Sequence, residues 1–297
     1  MKKKVFQKFP LTGIPGHMVK AQNEIKESLK LIDIVVEVLD ARIPMSSRNP
    51  LIDKLATGKE RIVVLNKADL ADEEKTAKWK KYFNEKDILC VENISTNPGS
   101  IKKLVEVIKK QGEKVYSKKN EEKQIKIAVN PIYRVLIMGI PNVGKSTIIN
   151  KISRKNSANV GNKPGVTKKK QWIRVAGNID LLDTPGLLWP NLDDKNAGIN
   201  LALTGNIKQE VLDIEEIACL GIDILIQNEK YKNMLKEKYN LQDEDFECIS
   251  YDVLEKIGRK RGCIISGGNV DMTKAANCFL EDFKSGKIGK ITLDEIK

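Results

Sequence analysis

The run of residues from Gly139 to Ser146, which reads GIPNVGKS, constrains the fold of this chain more than any other feature. It fits G-x-x-x-x-G-K-[ST] and lies between an apolar strand pattern at Tyr133–Met138 and a helical pattern at Lys145–Ser153. The glycines let backbone N–H groups turn inward around phosphate, and the helix N-terminus adds positive potential. The residues expected to contact the phosphates are Asn142, Val143, Gly144, Lys145, Ser146 and Thr147. The sequence therefore predicts a nucleotide-binding α/β domain.

A second motif, Asn66-Lys67-Ala68-Asp69, follows an apolar strand pattern that ends at Leu65. A carboxylate at Asp69 can accept from both N1–H and the exocyclic amine of guanine, whereas adenine lacks this pair of donors. Asn66 would brace the loop, and the aliphatic stem of Lys67 would cover one face of the base. Such a tetrapeptide alone is often a solvated loop in a chain rich in Lys and Asn. Together with a phosphate loop it predicts a site for GTP and GDP.

Three oxygen-bearing side chains are expected to hold Mg²⁺ beside the phosphates. Ser146 belongs to the phosphate loop, Asp183 ends an apolar strand pattern, and Thr167 lies between the two. Hydroxyl and carboxylate oxygens are the ligands that Mg²⁺ prefers. Gly186, in Asp183-Thr184-Pro185-Gly186, is expected to sense the γ-phosphate. We assign roles in catalysis to Thr167, to Gly186 and to Lys145, which would reach the β- and γ-phosphates.

Ser95-Thr96-Asn97 ends another strand pattern and is the weakest of these motifs. The backbone N–H groups of Ser95 and Thr96 would contact the guanine carbonyl. The alternative interpretation is an ordinary turn between a strand and a helix, in which one of these side chains caps the helix.

The order of the motifs determines the predicted topology. GTPases commonly place the phosphate loop first and the base motif much later, whereas here Asn66 precedes Gly139. The same sheet can form with its termini moved, because the termini of compact domains often lie close together. We therefore predict an α/β fold: a circularly permuted P-loop GTPase domain with a parallel-rich sheet and helices on both faces, followed by a small all-α domain.

The predicted domains are residues 1–204, which include an N-terminal arm at 1–16 and a flexible connector at about 113–131, and residues 205–297. The predicted strands are Ile34–Leu39, Arg61–Leu65, Ile88–Val91, Tyr133–Met138, Trp172–Val175 and Ile179–Leu182. The predicted helices are His17–Leu31, Arg48–Ala56, Glu73–Phe83, Ile101–Gln111, Lys145–Ser153, Ile207–Leu225, Glu229–Tyr239, Tyr251–Lys260 and Met272–Phe283. Trp79 and Trp172 are expected in the core.

Charge is distributed unevenly along the chain. Residues 1–204 carry 38 basic and 22 acidic side chains, and residues 205–297 carry 14 and 18. A polyanion is therefore the natural partner of the first part. Five dispersed cysteines and one histidine, His17, argue against a zinc finger, a disulfide framework or a multi-histidine metal centre. With no apolar run of bilayer length and no signal-peptide pattern, we expect a cytoplasmic protein without a membrane partner.

Several segments resemble the ribosome biogenesis GTPase A (YlqF-type) family. They are Pro15-Gly16-His17-Met18-Val19-Lys20-Ala21, Asp40-Ala41-Arg42-Ile43-Pro44, Ser266-Gly267-Gly268 and Ser285-Gly286-Lys287-Ile288-Gly289, together with the permuted motifs. The resemblance covers almost the whole chain. It implies a factor that binds the large ribosomal subunit or its precursor, contacts rRNA, and hydrolyses GTP faster on that particle. We expect a monomer away from the ribosome and no DNA partner.

The group that activates water is left open between two candidates. Many switch GTPases place a Gln after D-x-x-G, but Leu187 and Leu188 follow Gly186 here. The family resemblance points to His17, whose alternative role is contact with RNA or solvent. The other candidate is K⁺ bound by Asn142, which matches the phosphate-loop asparagine of potassium-activated GTPases. Asn142 would otherwise only brace its loop.

Lys168-Lys169-Lys170 directly follows Thr167, in a segment that the γ-phosphate and Mg²⁺ should order. GTP would then assemble a basic patch for rRNA, although such a run is usually just a solvated surface. Two other functions stay open. One is an RNA-binding placeholder in which hydrolysis is incidental, and the other is a GTPase that acts on another structured RNA such as tRNA.

Overall fold

The computed structural model of the chain describes residues 26–123, 131–154, 171–175, 178–183, 194–207 and 213–296. Within these ranges a covered sheet is followed by a group of packed helices. The N-terminal arm and most of the helix predicted at His17–Leu31 lie outside the described residues. Of that helix, residues 26–31 are described; residues 26–29 are helical and residues 30 and 31 form a turn.

Six strands form one sheet in the order β3-β2-β1-β4-β6-β5. Their bounds are β1 Ile34–Asp40, β2 Glu60–Asn66, β3 Leu89–Asn93, β4 Tyr133–Met138, β5 Gln171–Val175 and β6 Ile179–Asp183. Neighbouring strands pair in parallel except β5, which is antiparallel to β6. The predicted parallel-rich α/β sheet is confirmed, and every predicted strand ends within two residues of the observed bounds.

Strand β1 shows why the strands of this sheet read as continuous apolar runs. All seven of its residues, IVVEVLD, are buried. A strand inside a parallel sheet is covered on both faces, so alternation between apolar and polar residues disappears. Glu37 and Asp40 are the charged exceptions, and each is ion-paired with two basic side chains.

The sheet changes its winding direction between β1 and β4. The chain runs outward from β1 through β2 to β3, and then returns to pair with β1 as β4. At such a switch point the connections leave neighbouring strands in opposite directions, and a crevice opens at their carboxyl ends. We call this edge of the sheet the carboxyl edge. It comprises residues 40–47, 66–70, 93–97 and 139–146.

Helices cover both faces of the sheet. Their bounds are α1 Leu51–Leu55, α2 Glu73–Asn84, α3 Pro98–Lys123 and α4 Lys145–Arg154. Apolar residues of α3 and α4 pack on one face, and those of α1 and α2 pack on the other. Trp79 of α2 is 2% exposed, as predicted for a core residue. No helix within the described ranges is both long enough and apolar enough to cross a bilayer.

Helix α3 corrects the prediction of a flexible connector from Glu113. The helix continues to Lys123, and residues 124–130 lie outside the described ranges. The added turns are held by tertiary contacts: the Tyr116 hydroxyl donates to the Ile132 carbonyl at 2.8 Å, and Lys119 is ion-paired with Asp33. The segment has no Gly or Pro after Gly112 and is rich in Glu and Lys, which are good helix formers. Its apolar residues recur only weakly at helical spacing, and for this reason a helix was not predicted there.

Trp172 is the second correction, because it was predicted in the core and is 38% exposed. It lies in β5, which is an edge strand of the sheet. The Arg134 guanidinium lies 5.7 Å from the centre of its ring. The side chain is therefore stabilised by a cation on the surface instead of by burial.

The helices after the sheet are α5 Lys195–Leu203, α6 Ile214–Ile226, α7 Glu229–Tyr239, α8 Ser250–Lys260 and α9 Met272–Lys284. Their apolar faces share one core. The helices α7, α8 and α9 match the predicted ones, whereas α5 was not predicted. Helix α6 begins at Ile214 and not at Ile207, because the Asp213 carboxylate caps its first backbone N–H groups.

The last described residues return from the helices to the carboxyl edge. The backbone N–H of Ile291 donates to the Leu70 carbonyl at 3.1 Å, and that of Leu293 donates to the Arg42 carbonyl at 2.8 Å. The buried Asp294 carboxylate accepts two backbone N–H bonds from the loop after β1. The chain terminus thus ties the helices to the edge that carries the sequence motifs.

Candidate guanine nucleotide site

The phosphate loop connects β4 to α4 and packs closely against β1 and the base motif. Gly139 has φ +151°, and a Cβ there would lie 2.5 Å from the Val38 carbonyl oxygen. Gly144 has φ +103°, and a Cβ there would lie 2.2 Å from Nδ2 of Asn66. Both positions need glycine because the backbone conformation and the neighbouring atoms exclude a side chain. The loop can therefore lie directly on β1 and on the base motif.

The start of α4 combines exposed polar residues with an apolar residue that is buried beneath them in the loop. Ser146 and Thr147 are exposed, and Val143 is fully buried and anchors the loop. The Lys145 amine donates to the Ile140 carbonyl at 2.5 Å. Burial lowers the pKa of this amine to about 8. A phosphate anion beside Lys145 would restore the preference for the charged amine.

Asn142 has a left-handed backbone with φ 63°, a conformation that asparagine tolerates better than most residues. Its Nδ2 donates to the carbonyl of Gly205 at 3.1 Å. Gly205 lies two residues after the end of α5, so the phosphate loop directly contacts the segment that follows this helix.

The base motif lies against the phosphate loop although it precedes that loop in sequence. Asn66 is buried at the end of β2, and its Nδ2 donates to the Val143 carbonyl at 2.8 Å. Its Oδ1 accepts from Nδ2 of Asn93, at the end of β3, at 2.8 Å. One amide side chain therefore joins the carboxyl ends of two strands to the phosphate loop. The role of Asn66 in a nucleotide site stays a prediction.

Lys67 and Asp69 begin the loop after β2. Lys67 has a left-handed backbone at φ 60°, ψ 34° and precedes the 3₁₀ turn Ala68–Leu70, which carries Asp69. Asp69 is exposed, as a base-binding carboxylate must be. The amine of Lys67 donates to the buried Asp40 carboxylate at 2.8 Å.

The Ser95-Thr96 motif lies in the loop after β3. Asn93 and Ser100 hold this loop, because the Ser100 hydroxyl donates to Oδ1 of Asn93 and accepts from the backbone N–H of Ile94. Ser95 Oγ would be 3.7 Å from a Cβ built at Gly144, so this loop also approaches the phosphate loop. The structure thus brings the predicted base, phosphate and Ser95 segments together.

The remaining predicted site residues are not placed by the structure. His17, Thr167, Gly186 and Lys168-Lys169-Lys170 lie outside the described residues. Asp183 is the last residue of β6, which pairs with β4, the strand that leads into the phosphate loop. Within the described ranges no group of three or more His, Cys, Asp or Glu side chains could hold a metal ion.

Sequence reasoning from the nucleotide motifs missed three buried polar residues at this edge: Asp40, Asn93 and Asn206. Asp40 was noted only as part of the family resemblance. The signal available for it is an Asp that ends an entirely apolar strand, because a buried carboxylate needs partners. Asn93 and Asn206 carry no comparable signal, since their partners are distant in sequence.

Comparison with known proteins agrees with this geometry. The sequence model of a family described as 50S ribosome-binding GTPase matches residues 134–256, a match that begins with β4. Ribosome biogenesis GTPase A of Bacillus cereus is 42% identical over 94% of this chain and 92% of its own length. The protein of the same name from Thermotoga maritima is 33% identical over 96% and 94%.

Among solved structures, the GDP-bound structure of T. maritima YlqF superimposes with a TM-score of 0.63 at 27% identity. The similarity covers 92% of this chain and 98% of that one. GNP-bound YlqF from T. maritima gives a TM-score of 0.59 at 28% identity. The chain has the permuted GTPase fold and belongs to the ribosome biogenesis GTPase A family.

Proposed function

We propose that the carboxyl edge of this GTPase binds GTP with Asn66, Lys67 and Asp69 at the base and residues 142–147 at the phosphates. The observation that carries this assignment is the hydrogen bond of 2.8 Å from Asn66 to the Val143 carbonyl. It brings the base motif and the phosphate loop to one crevice despite their reversed order in the sequence. The segment around Ser95 and Thr96 completes the base side.

The oxygen chemistry of the site fits Mg²⁺. Ser146 is exposed in the first turn of α4 and directly follows Lys145 in the sequence. Asp183 and Thr167 are the proposed further ligands. Bound Mg²⁺ would neutralise charge on the β- and γ-phosphates, while Lys145 orients them and Gly186 contacts the γ-phosphate. The Lys145 amine would contribute most when the phosphates keep it protonated.

Beyond these residues, we propose that His17, a bound K⁺ or both assist hydrolysis of GTP. The Asn142 side chain fits the K⁺ proposal: Nδ2 is engaged with the Gly205 carbonyl, which orients Oδ1, the atom able to bind a cation. His17 is supported by the family resemblance. Since Leu187 and Leu188 cannot orient water, one of these groups must do so.

The partner we propose is the large ribosomal subunit or its precursor, contacted through rRNA. The basic excess of residues 1–204 favours a polyanion, and relatives are named for ribosome biogenesis. Lys168-Lys169-Lys170 would form a GTP-dependent patch for rRNA phosphates. We further propose a cytoplasmic monomer when off the particle. Family membership disfavours the placeholder and the tRNA-directed GTPase.

The decisive experiment is GTP turnover by the purified protein in K⁺ or Na⁺ buffer, with and without large ribosomal subunits. We expect a slow basal rate that rises at least about tenfold with the particle, as positioned catalytic groups supply factors of this size. Lys145→Met should abolish turnover. Lys102→Met, a change of an exposed lysine on α3, is the matched control.

Each alternative gives a distinct result. Binding to the subunit without stimulation would indicate the placeholder. Binding to tRNA but not to the subunit would indicate another RNA target. Equal rates in K⁺ and Na⁺ would remove the ion and leave His17, whereas His17→Ala without effect would remove the histidine.

A further inference from the structure

The buried Asp40 carboxylate lies at the end of β1, beside the proposed base loop. It accepts from Nε and Nη2 of Arg42 at 2.9 and 2.8 Å, from the Lys67 amine at 2.8 Å and from Nδ2 of Asn206 at 3.1 Å. Burial opposes its ionisation, but the cations of Arg42 and Lys67 outweigh burial and hold the pKa of Asp40 well below its usual range. Asp40 is therefore a fixed negative charge.

The amine of Lys67 is directed by this charge. The backbone of Lys67 is left-handed, so its Cα–Cβ bond is oriented differently from those of the preceding strand residues. A free lysine side chain samples many rotamers, but here the amine is ion-paired with Asp40 and the side chain is only 23% exposed. Fixing the amine fixes the four-carbon stem, which is the part that would cover one face of guanine.

Asp40 is in turn held from the helical side. The Arg42 guanidinium that clamps it also donates to the carbonyls of Thr204 and Lys284, at 3.2 and 3.1 Å. The Asn206 amide that contacts Asp40 also donates to the Thr204 hydroxyl at 2.8 Å. The carboxylate therefore cannot rotate away without breaking its bonds to Arg42 and Asn206, which also contact Thr204, just after α5, and Lys284, the last residue of α9.

We propose that Asp40 is the positioning residue for guanine nucleotide binding: anchored by Arg42 and Asn206, it holds the Lys67 stem as one wall of the base pocket. This inference rests on the proposed assignment of residues 66–69 to the base. It adds to that assignment a residue that does not touch the nucleotide, and it gives the helical part a direct influence on the base side of the site.

The test is a double-mutant cycle on GDP affinity, with the single variants Asp40→Asn and Lys67→Met and their combination. We expect each single variant to weaken GDP binding by about tenfold, and Asp40→Asn to change it less than about twofold once Lys67 is Met. Such non-additivity identifies Lys67 as the route by which Asp40 acts.

Inosine diphosphate lacks the exocyclic amine of guanine. The ratio of its affinity to that of GDP separates loss of the Lys67 contact from general damage to the loop at residues 66–69, because general damage would change this ratio. Asp40→Asn should weaken GDP and inosine diphosphate by the same factor, because the stem contacts the face of the ring. Asp69→Ala should instead reduce the preference for GDP. Glu37→Gln, a change of the other buried carboxylate of β1, should leave both affinities as in the wild type.

The failures are distinguishable. An unchanged preference for GDP over inosine diphosphate in Asp69→Ala would overturn the base assignment itself, whereas wild-type affinity in Lys67→Met would overturn the role of Asp40, because Met keeps an apolar stem without the amine that Asp40 holds. Two further results would overturn only the role of Asp40. In one, Lys67→Met weakens binding but Asp40→Asn keeps wild-type affinity. In the other, Asp40→Asn causes the same loss of affinity whether residue 67 is Lys or Met. If Asp40→Asn does not fold, Asn206→Ala removes one anchor without changing charge. It should weaken GDP about threefold, and only while Lys67 is present; no weakening, or the same weakening without Lys67, overturns the role of Asp40.

Discussion

Strand β1 buries two carboxylates, and their surroundings differ. Glu37, in the middle of the strand, pairs with Arg48 and Arg61, and these two arginines also bind Asp53. Burial raises the pKa of Glu37 despite both arginines. At the carboxyl edge, two cations and further hydrogen bonds lower the pKa of Asp40.

The comparison shows that burial alone does not determine how a charge behaves. Glu37 shares its arginines with Asp53, so its own charge is incompletely compensated and desolvation dominates. Asp40 receives donors from Arg42, Lys67 and Asn206, which come from three different parts of the chain. The cluster around Glu37 stabilises the sheet. The cluster around Asp40 links the sheet to the loop at residues 66–69 and to the helices.

The largest effect should come from neutralising the two carboxylates separately. Asp40→Asn should lower the free energy of unfolding by about 3–5 kcal/mol, because the buried Arg42 and the half-buried Lys67 lose their counter-charge. Glu37→Gln should cost about 1–2 kcal/mol, since its arginines keep Asp53 and the ionised form is already disfavoured. Denaturant unfolding of both variants measures this. Equal losses would show that the two clusters are energetically alike.

A second test compares glycines at and away from the carboxyl edge. Gly144→Ala should cost about 3 kcal/mol and prevent GTP binding, because the new Cβ would strike Nδ2 of Asn66 and φ is +103°. Gly58→Ala, at φ +74° with open space around it, should cost about 1 kcal/mol and leave GTP binding intact. Calorimetric unfolding and nucleotide titration test both. A Gly144→Ala protein that binds GTP normally would contradict the close packing described here.

The smallest effect concerns Lys145, a half-buried cation of the same edge. Burial lowers its pKa from an ordinary value of 10.5 to about 8, so between these values the unfolded chain binds more protons than the folded one. The free energy of unfolding should therefore rise with pH across that window in nucleotide-free protein. Lys145→Met should flatten the slope, and Lys102→Met should not. Urea unfolding at a series of pH values measures this; an unchanged slope in Lys145→Met would refute it.

Much of the site could be predicted because its motifs are local. The phosphate loop requires neighbouring residues in a strand–loop–helix setting, and Asn66 to Asp69 form one turn, so both are legible in sequence. The α5 helix, the extension of α3 beyond Gln111 and the exposure of Trp172 could not be predicted. Each depends on partners that other parts of the chain supply, such as Ile132 for Tyr116 and Arg134 for Trp172.

The strands, the nucleotide motifs and their permuted order can be predicted from the chain alone, because short-range patterns of apolar and polar residues encode them. Long-range folding was needed to join Asn66 to β3 and the phosphate loop, to bring Asp40 to Lys67, and to bring Asn142 and Arg42 to the helices. The physical reason is that a buried polar group needs hydrogen-bond partners, which can come from any part of the chain that the fold brings close. The separation of two residues in the sequence does not predict whether they pair.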